Sequence, residues 1–306
     1  MTEYLYHYTS LKGLNGILES DCLWATDAFK SNDLTEIKFG GEILKKKLIE
    51  SGISKNDAEK FIEVIYKGIK EKAEGVFLTC FSGVIKGKYQ EDNGVLSQWR
   101  GYGSYAIKFD QEKLKLFLER EGSTENFKDW LGIADLDDGV KYFDPTGNCS
   151  AGYFEKPFVS LKEAALSKEK FLELEEDDFK KVIENFCICL ILSKHVGFEE
   201  ESERRCAYIV WKGEEEIREV TEIYSDKSDK KYIKRFVGGI NNAIESVIIG
   251  PMSEADYKVG EIFLSKRKIK FRRSETPFLN KSPSAKDTKA WTGLKKLLKK
   301  MMNLKN

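Results

Sequence analysis

Apolar positions change period several times along this chain. Residues 5–8, 22–25, 75–81, 105–109, 206–211, 246–249 and 269–271 are short apolar runs with the length and the β-branched or aromatic content of buried strands; 217–223 is a weaker one. Between them, apolar residues fall at helical spacing. Ser10 is placed to cap a helix over 10–19, in which Leu11, Leu14, Ile17 and Leu18 form one stripe. The same spacing predicts helices over 34–50, 56–73, 110–121, 161–193 and 252–264, the last one after a turn at Gly250-Pro251. Residues 82–94 are polar and contain glycine, 95–102 read as a compact aromatic turn, and 122–155 are rich in loop residues.

Strands and helices mix without regular βαβ alternation, which favours an α+β fold over a doubly wound sheet. Residues 1–273 read as one domain. Residues 274–287 hold Pro277 and Pro283 among several Ser and Lys and read as a linker. Residues 288–306 form a basic amphipathic segment: Trp291, Leu294, Leu297, Leu298, Met301 and Met302 share a helical stripe beside six lysines and no acid. That segment fits an anionic membrane, a nucleic acid, a docking site on a partner or on its own domain, or a solvated tail.

The chain has 306 residues, enough to bury a substantial core. Its 51 basic and 51 acidic residues cancel, so no global charge points to a nucleic-acid or membrane partner. The N-terminal MTEYLYHYTS lacks the pattern of an export signal, and residues 186–192 are too few to span a bilayer. A cytoplasmic location with six reduced cysteines is therefore expected. Cys187, Cys189, His195 and Cys206 match no standard zinc spacing, and there is no Walker loop, dinucleotide glycine fingerprint or nucleophile elbow.

Four fragments carry candidate chemistry. His7, beside Tyr8 and Thr9, is one of two histidines and sits in an apolar strand; it is either a half-buried satisfied histidine or a hydrogen-bond donor at a pocket mouth. Asn32, Asp33 and Glu36, after Trp24, either cap the next helix or belong to a site. Trp99 and Tyr102 flank a glycine-bearing turn and are either core aromatics or stacking surfaces for a planar heterocycle. The fourth, 199–205, places Glu201 and Glu203 at the mouth of an apolar strand, where extended geometry points both to one side and Arg205 can hold them ionised. A run of like charge is also a common solvated face. Paired carboxylates suit reactions through an oxocarbenium ion.

Taken in order, His7-Tyr8-Thr9, Leu23-Trp24 with Asn32-Asp33 and Glu36, Cys80-Phe81-Ser82, Trp99 with Tyr102, Lys194-His195 with Phe198, and Glu201-x-Glu203-x-Arg205 resemble a bacterial and phage family long catalogued as a domain of unknown function. That family is similar to the ADP-ribosyltransferase superfamily. The resemblance implies a split, mostly antiparallel sheet with flanking helices that clasps NAD as a substrate. In the implied site, His7 bonds a ribose. Trp99 and Tyr102, with Tyr8, stack on nicotinamide. Glu203 stabilises the oxocarbenium ion and Glu201 orients the acceptor. Thr9, Trp24, Asn32, Asp33 and Arg205 complete the cofactor-binding set. The Ser-Thr-Ser strand motif of one large branch is absent; Thr79-Cys80-Phe81-Ser82 stands in its place.

The expected activity is transfer of ADP-ribose from NAD to a protein or nucleic acid, as in toxins and anti-phage effectors. An antitoxin or other partner would bind through the C-terminal basic segment. Two other classes stay open: an inactive nucleotide- or partner-binding module of the same fold, and a nucleic-acid-binding defence protein.

Overall fold

The computed structural model describes residues 3–30, 34–120, 139–167, 174–213, 221–225, 231–235 and 239–277. Its elements are β1 (Glu3–Thr9), α1 (Leu11–Ser20), β2 (Trp24–Asp27), α2 (Leu34–Glu50), α3 (Lys55–Lys72), β3 (Ala73–Ile85), α4 (Tyr89–Asn93), α5 (Leu96–Gly101), β4 (Tyr105–Phe109), α6 (Gln111–Arg120), β5 (Lys141–Phe143), α7 (Glu155–Leu166), α8 (Glu176–Ile191), β6 (Ser193–His195), β7 (Glu203–Trp211), β8 (Thr221–Ser225), β9 (Lys231–Arg235), β10 (Ile244–Ile249), α9 (Glu254–Lys266) and β11 (Phe271–Arg273). Short 3-10 turns cover Ala28–Lys30, Val196–Glu201 and Ile240–Ala243.

Among the described residues nine strands form one open sheet, antiparallel except for β10 and β11. β3 is its spine. β7 pairs along one edge from Ala73 to Ser82. The opposite edge is shared: β1 takes Ser82 to Ile85 and β2 takes Phe77 and Leu78. Thr79, Cys80 and Phe81 therefore face a gap where the two neighbours part. The sheet continues through β4, β10 and β11 on the β1 side and through β9 and β8 on the β2 side. β5 and β6 form a separate parallel pair.

Alternation along β3 assigns the faces. Phe77 and Phe81 join Leu5, Ile107, Phe109, Cys206, Tyr208 and Val210 in a core closed by α1, α6 and α9. On the other face Val76, with Ala207, Ile209 and Trp211 of β7, packs against α2, α3, α7 and α8. At the far end of that same face Val84 joins Tyr6, Tyr8, Trp99 and Ala106 in a smaller cluster. Between these two apolar clusters the face turns polar, at Cys80 and Ser82 of β3 opposite Arg205 and Glu203 of β7.

The helices that bear on this polar stretch are held by close backbone contact. A Cβ at Gly40 of α2 would stand 2.3 Å from the carbonyl oxygen of Leu190 in α8, so glycine lets the two helices touch. That contact brings the first turn of α2, with Glu36, over the strand that follows α8.

Several elements differ from the periodicity reading. β3 extends to Ile85, through residues expected to be loop, because Ser82 and Gly83 find partners in Tyr6 and Leu5. Among the described residues the region 161–193 holds parts of two helices, Glu155–Leu166 and Glu176–Ile191, and its last residue belongs to β6. β5 and β9 were not expected. β9 reads KYIKR, too polar to signal a strand, and gains its place by pairing with both β2 and β8. Residues 278–306 lie outside the described residues, and with them most of the expected linker and all of the basic segment. Among the described residues no helix is long and apolar enough to cross a membrane.

The α2–α8 contact yields a first prediction. Gly40→Ala forces the helices apart and lowers stability by about 1–3 kcal/mol, read as a reduced urea midpoint. An unchanged midpoint would show that the close approach is not required.

Candidate functional site

Glu203 opens β7, and alternation puts Arg205 beside it on the same face. Glu201 does not lie in the strand. It ends the 3-10 turn, and Ser202, at φ 43°, reverses the chain between the two glutamates. The expected common direction of Glu201 and Glu203 is thus reached through a left-handed residue rather than through strand geometry. Three hydrogen bonds fix this corner. Gly83 N–H donates to Ser202 O at 2.8 Å, Ser82 Oγ–H donates to Glu201 O at 2.7 Å, and Glu203 N–H donates to Tyr142 Oη at 2.8 Å.

Both carboxylates converge on Lys194. This lysine, on β6, is 1% exposed. Its Nζ lies 2.7 Å from Glu201 Oε2, 2.8 Å from Glu203 Oε2 and 2.8 Å from Glu36 Oε1. Arg205 completes the network. Its Nε and Nη2 each donate to Glu203 at 2.8 Å, Nη2 also meets Glu36, and Nη1 meets the Ile191 carbonyl. Three carboxylates thus surround two cations.

The two glutamates of β7 and its turn are driven apart. Burial raises the carboxyl of Glu203, but Arg205 and Lys194 together outweigh it and hold the group at about 2. Burial also raises Glu201; Lys194 opposes, the charges of Glu203 and Glu36 reinforce, and the result lies above the ordinary 4.5. Lys194 is stripped of water, yet Glu203 and Glu36 more than compensate and raise it. At neutral pH Glu203 is therefore a fixed anion, and Glu201 is the more readily protonated of the pair.

The network forms the floor of a cleft of about 950 Å³, within the range of small-molecule sites. One wall is the divided sheet edge, with His7 of β1, Trp24 and Thr26 of β2, and Cys80 in the gap. The opposite wall is α5 and its turn, with Arg100 and Tyr102, and the 3-10 turn with Phe198. A small annex of about 60 Å³ reaches Tyr6, Tyr8 and Gln98 and shares Tyr102, Glu201 and Glu203 with the cleft.

His7 has a defined tautomer. Nδ1 lies 2.9 Å from the Cys80 carbonyl, which only accepts, so Nδ1 carries the proton. Burial lowers His7 below its ordinary value, only partly offset by that hydrogen bond, and keeps the ring neutral. Nε2 is left as an acceptor, suited to a hydroxyl donor. The donor role expected of His7 is met by the Cys80 carbonyl instead. Across the same gap, Thr79 Oγ1–H donates to the Trp24 carbonyl at 3.1 Å.

The cleft thus brings together His7, Trp24, Tyr102, Glu201, Glu203 and Arg205 of the expected set. Trp99 is not in it. It is 0% exposed and donates from Nε1 to the Asn93 carbonyl, and glycines at 94 and 250 accept its ring faces so closely that a Cβ at either would stand under 3 Å away. Tyr8 lies edge-on to Trp99 at 4.8 Å, accepts from Val95 N–H and reaches the annex alone. Neither offers a ring face to a ligand in the cleft. Thr9 lies at the end of β1, paired with Tyr105, and does not line the cleft. Asn32 and Asp33 fall outside the described residues.

Glu36, Lys194 and Phe198 stood in the expected motifs without an assigned role in binding or catalysis, Glu36 also as a helix-capping or site residue; Arg100 and Tyr142 were not among the expected site residues. For Lys194 the signals were its place in the Lys194-His195 motif and its position two residues beyond the apolar run 186–192. Among the described residues no group of three or more His, Cys, Asp or Glu side chains is arranged to hold a metal ion. No protein-family model, curated protein or solved structure matches this chain.

Removing one partner of such a network leaves charge uncompensated, which costs about 3–5 kcal/mol. Lys194→Met should therefore lose about that much in urea unfolding at pH 7. Without the lysine, Glu201 loses the cation that opposes its upward shift while Glu203 keeps Arg205, so the Glu201 part of the deficit is full above its raised folded-state value and is lost as the pH falls through that value toward the unfolded carboxylate range near 4.5. In the parent the sign for Glu203 is the reverse. Its depressed value supplies about 3 kcal/mol above pH 4.5, lost as the pH falls toward 2. A deficit independent of pH would exclude a charge origin.

Proposed function

We propose that the cleft binds NAD and that the chain is an ADP-ribosyltransferase, cleaving the nicotinamide–ribose bond and passing ADP-ribose to a macromolecular acceptor. The observation that carries this reading is the pair Glu201 and Glu203, driven to opposite protonation tendencies at the floor of a cleft opened by the parting of β1 and β2. A sheet divided in this way, with a histidine on the first strand and a Glu-x-Glu at the start of a late strand, supports the resemblance to that superfamily.

The chemistry asked of the residues is direct. The bond between C1′ and the pyridinium nitrogen breaks, its electron pair leaves with nicotinamide, and the ribose carries positive charge. Glu203, ionised by Arg205 and Lys194, offers fixed negative charge to that cation in a cleft with little water around the carboxylate. Glu201 accepts the proton that the acceptor nucleophile loses on attacking C1′. His7 Nε2 accepts from a ribose hydroxyl, and the faces of Trp24, Tyr102 and Phe198 are the aromatic surfaces for a planar ring. Arg100 is the cation placed for the pyrophosphate.

A second reading has its own observation. Glu203 is only 6% exposed, and both of its oxygens already accept from Arg205 or Lys194, as in a purely structural ion network. The chain would then be a nucleotide-binding module without turnover.

Nicotinamide release from NAD by purified protein with cell lysate separates the two. Transferase activity requires release that falls by roughly 10²–10³-fold or more in Glu203→Gln, with the variant's fold checked by circular dichroism. Label from NAD then identifies the acceptor as protein or nucleic acid. NAD binding without release by the parent would establish the binding module. Failure of the folded parent to bind or cleave NAD would remove both readings.

The pH profile is a separate prediction. Glu201 acts only when deprotonated, so the rate rises as pH increases through a value above 4.5, while Glu203 stays ionised over that range. Glu201→Gln should lower the rate and abolish this acid limb. An unchanged limb would assign the proton transfer to another group.

A further inference from the structure

We propose that the mouth of the cleft is a docking surface for the chain's own C-terminal segment, residues 288–306. Nine large apolar side chains stand exposed among the described residues, and four of them line the cleft or the groove beside it: Tyr89, Leu96, Tyr102 and Phe198, on α4, α5 and its turn, and the 3-10 turn. Apolar side chains gathered around one opening mark an interaction site. Leu96 and Glu200 are shared between the cleft and a side groove of about 490 Å³, so the surface is continuous.

The path of the chain names the occupant. Ser274 Oγ–H donates to the Asn93 carbonyl at 2.7 Å, Glu275 N–H donates to Asn93 Oδ1 at 2.7 Å, and Thr276 itself lines the side groove. The chain is thus delivered to this groove and pinned there. From Thr276 to residue 288 a fully extended chain reaches roughly 40 Å, ample to lay the following segment across the cleft mouth. The chemistry matches on both counts. The segment presents Trp291, Leu294, Leu297, Leu298, Met301 and Met302 toward an apolar rim. Its six lysines, without one acid, meet the exposed Glu199 and Glu200 on the 3-10 turn.

The docking is tested without reference to turnover. A photoreactive p-benzoylphenylalanine replaces Leu96 in the full chain, and crosslinked peptides are mapped by mass spectrometry. The expected result is a crosslink within the monomer to peptides from 288–306. It is lost when Lys295→Glu, Lys296→Glu, Lys299→Glu and Lys300→Glu are combined. Crosslinks that miss this segment, or that occur only between two copies of the chain, overturn the proposal; so does a yield untouched by charge reversal.

Discussion

A buried lysine with three carboxylates within 2.8 Å is the constraint on which the rest of this molecule turns. Taking Lys194, Arg205 and their anions out of water costs several kcal/mol per ion, and only close geometry among all of them offsets it. That geometry draws on elements far apart in sequence. Glu36 comes from the first turn of α2, Lys194 from β6, Glu201 from the 3-10 turn, and Glu203 and Arg205 from β7. Each is placed by something uncharged: the Gly40–Leu190 approach, the β5–β6 pairing, the left-handed Ser202 and the Tyr142 hydroxyl. The network is therefore a lock on the packing of α2 and α8 against the sheet as well as the floor of a cleft.

The location of the cleft follows from how β3 spends its residues. One strand serves β7 along one edge and both β1 and β2 along the other, and the last two cannot meet without closing the gap at Cys80. On the cleft face the strand reads Val76, Leu78, Cys80, Ser82, Val84. It is apolar where it supports the helical core, polar at the gap, and apolar again beneath Tyr6 and Trp99. His7 Nδ1–H ties the β1 margin of the gap to β3 through the Cys80 carbonyl, and Thr79 Oγ1–H ties β3 to the β2 margin through the Trp24 carbonyl. The opening is bounded by hydrogen bonds on both sides, which is a rigid setting for catalytic or binding groups.

Much of this was legible where a residue was out of character with its surroundings. A histidine in an apolar strand and glutamates at the mouth of another stand out, and so do the strands themselves, whose apolar runs are short and bounded. What was not legible depended on distant partners. Trp99 and Tyr102 flank the same glycine turn, and the sequence carries no difference between them. Only Gly94 and Gly250, closing on the indole, send Trp99 to the core and leave Tyr102 in the cleft. Lys194 stands in the sequence only as part of the Lys194-His195 motif, with nothing to mark it as buried; its burial depends on three carboxylates from elsewhere in the chain. The charged strand β9 has no pattern of its own and is recruited by β2 and β8. Tertiary pairing overrode local preference in each case.

The division of labour between the two glutamates comes from where the strand begins. Within β7, alternation sets Arg205 against Glu203, so Glu203 has two cations and is held ionised. Glu201 stands before the left-handed Ser202, outside the strand, and has Lys194 as its cation. With one cation and two nearby anions, burial prevails and its carboxyl rises. Two identical side chains two residues apart thus become unlike acids because one backbone residue ends the 3-10 turn and starts the sheet. Under the proposed chemistry this assigns charge stabilisation to Glu203 and proton transfer to Glu201. It makes the conformation of Ser202, rather than the spacing of the carboxylates alone, the feature that encodes the pair.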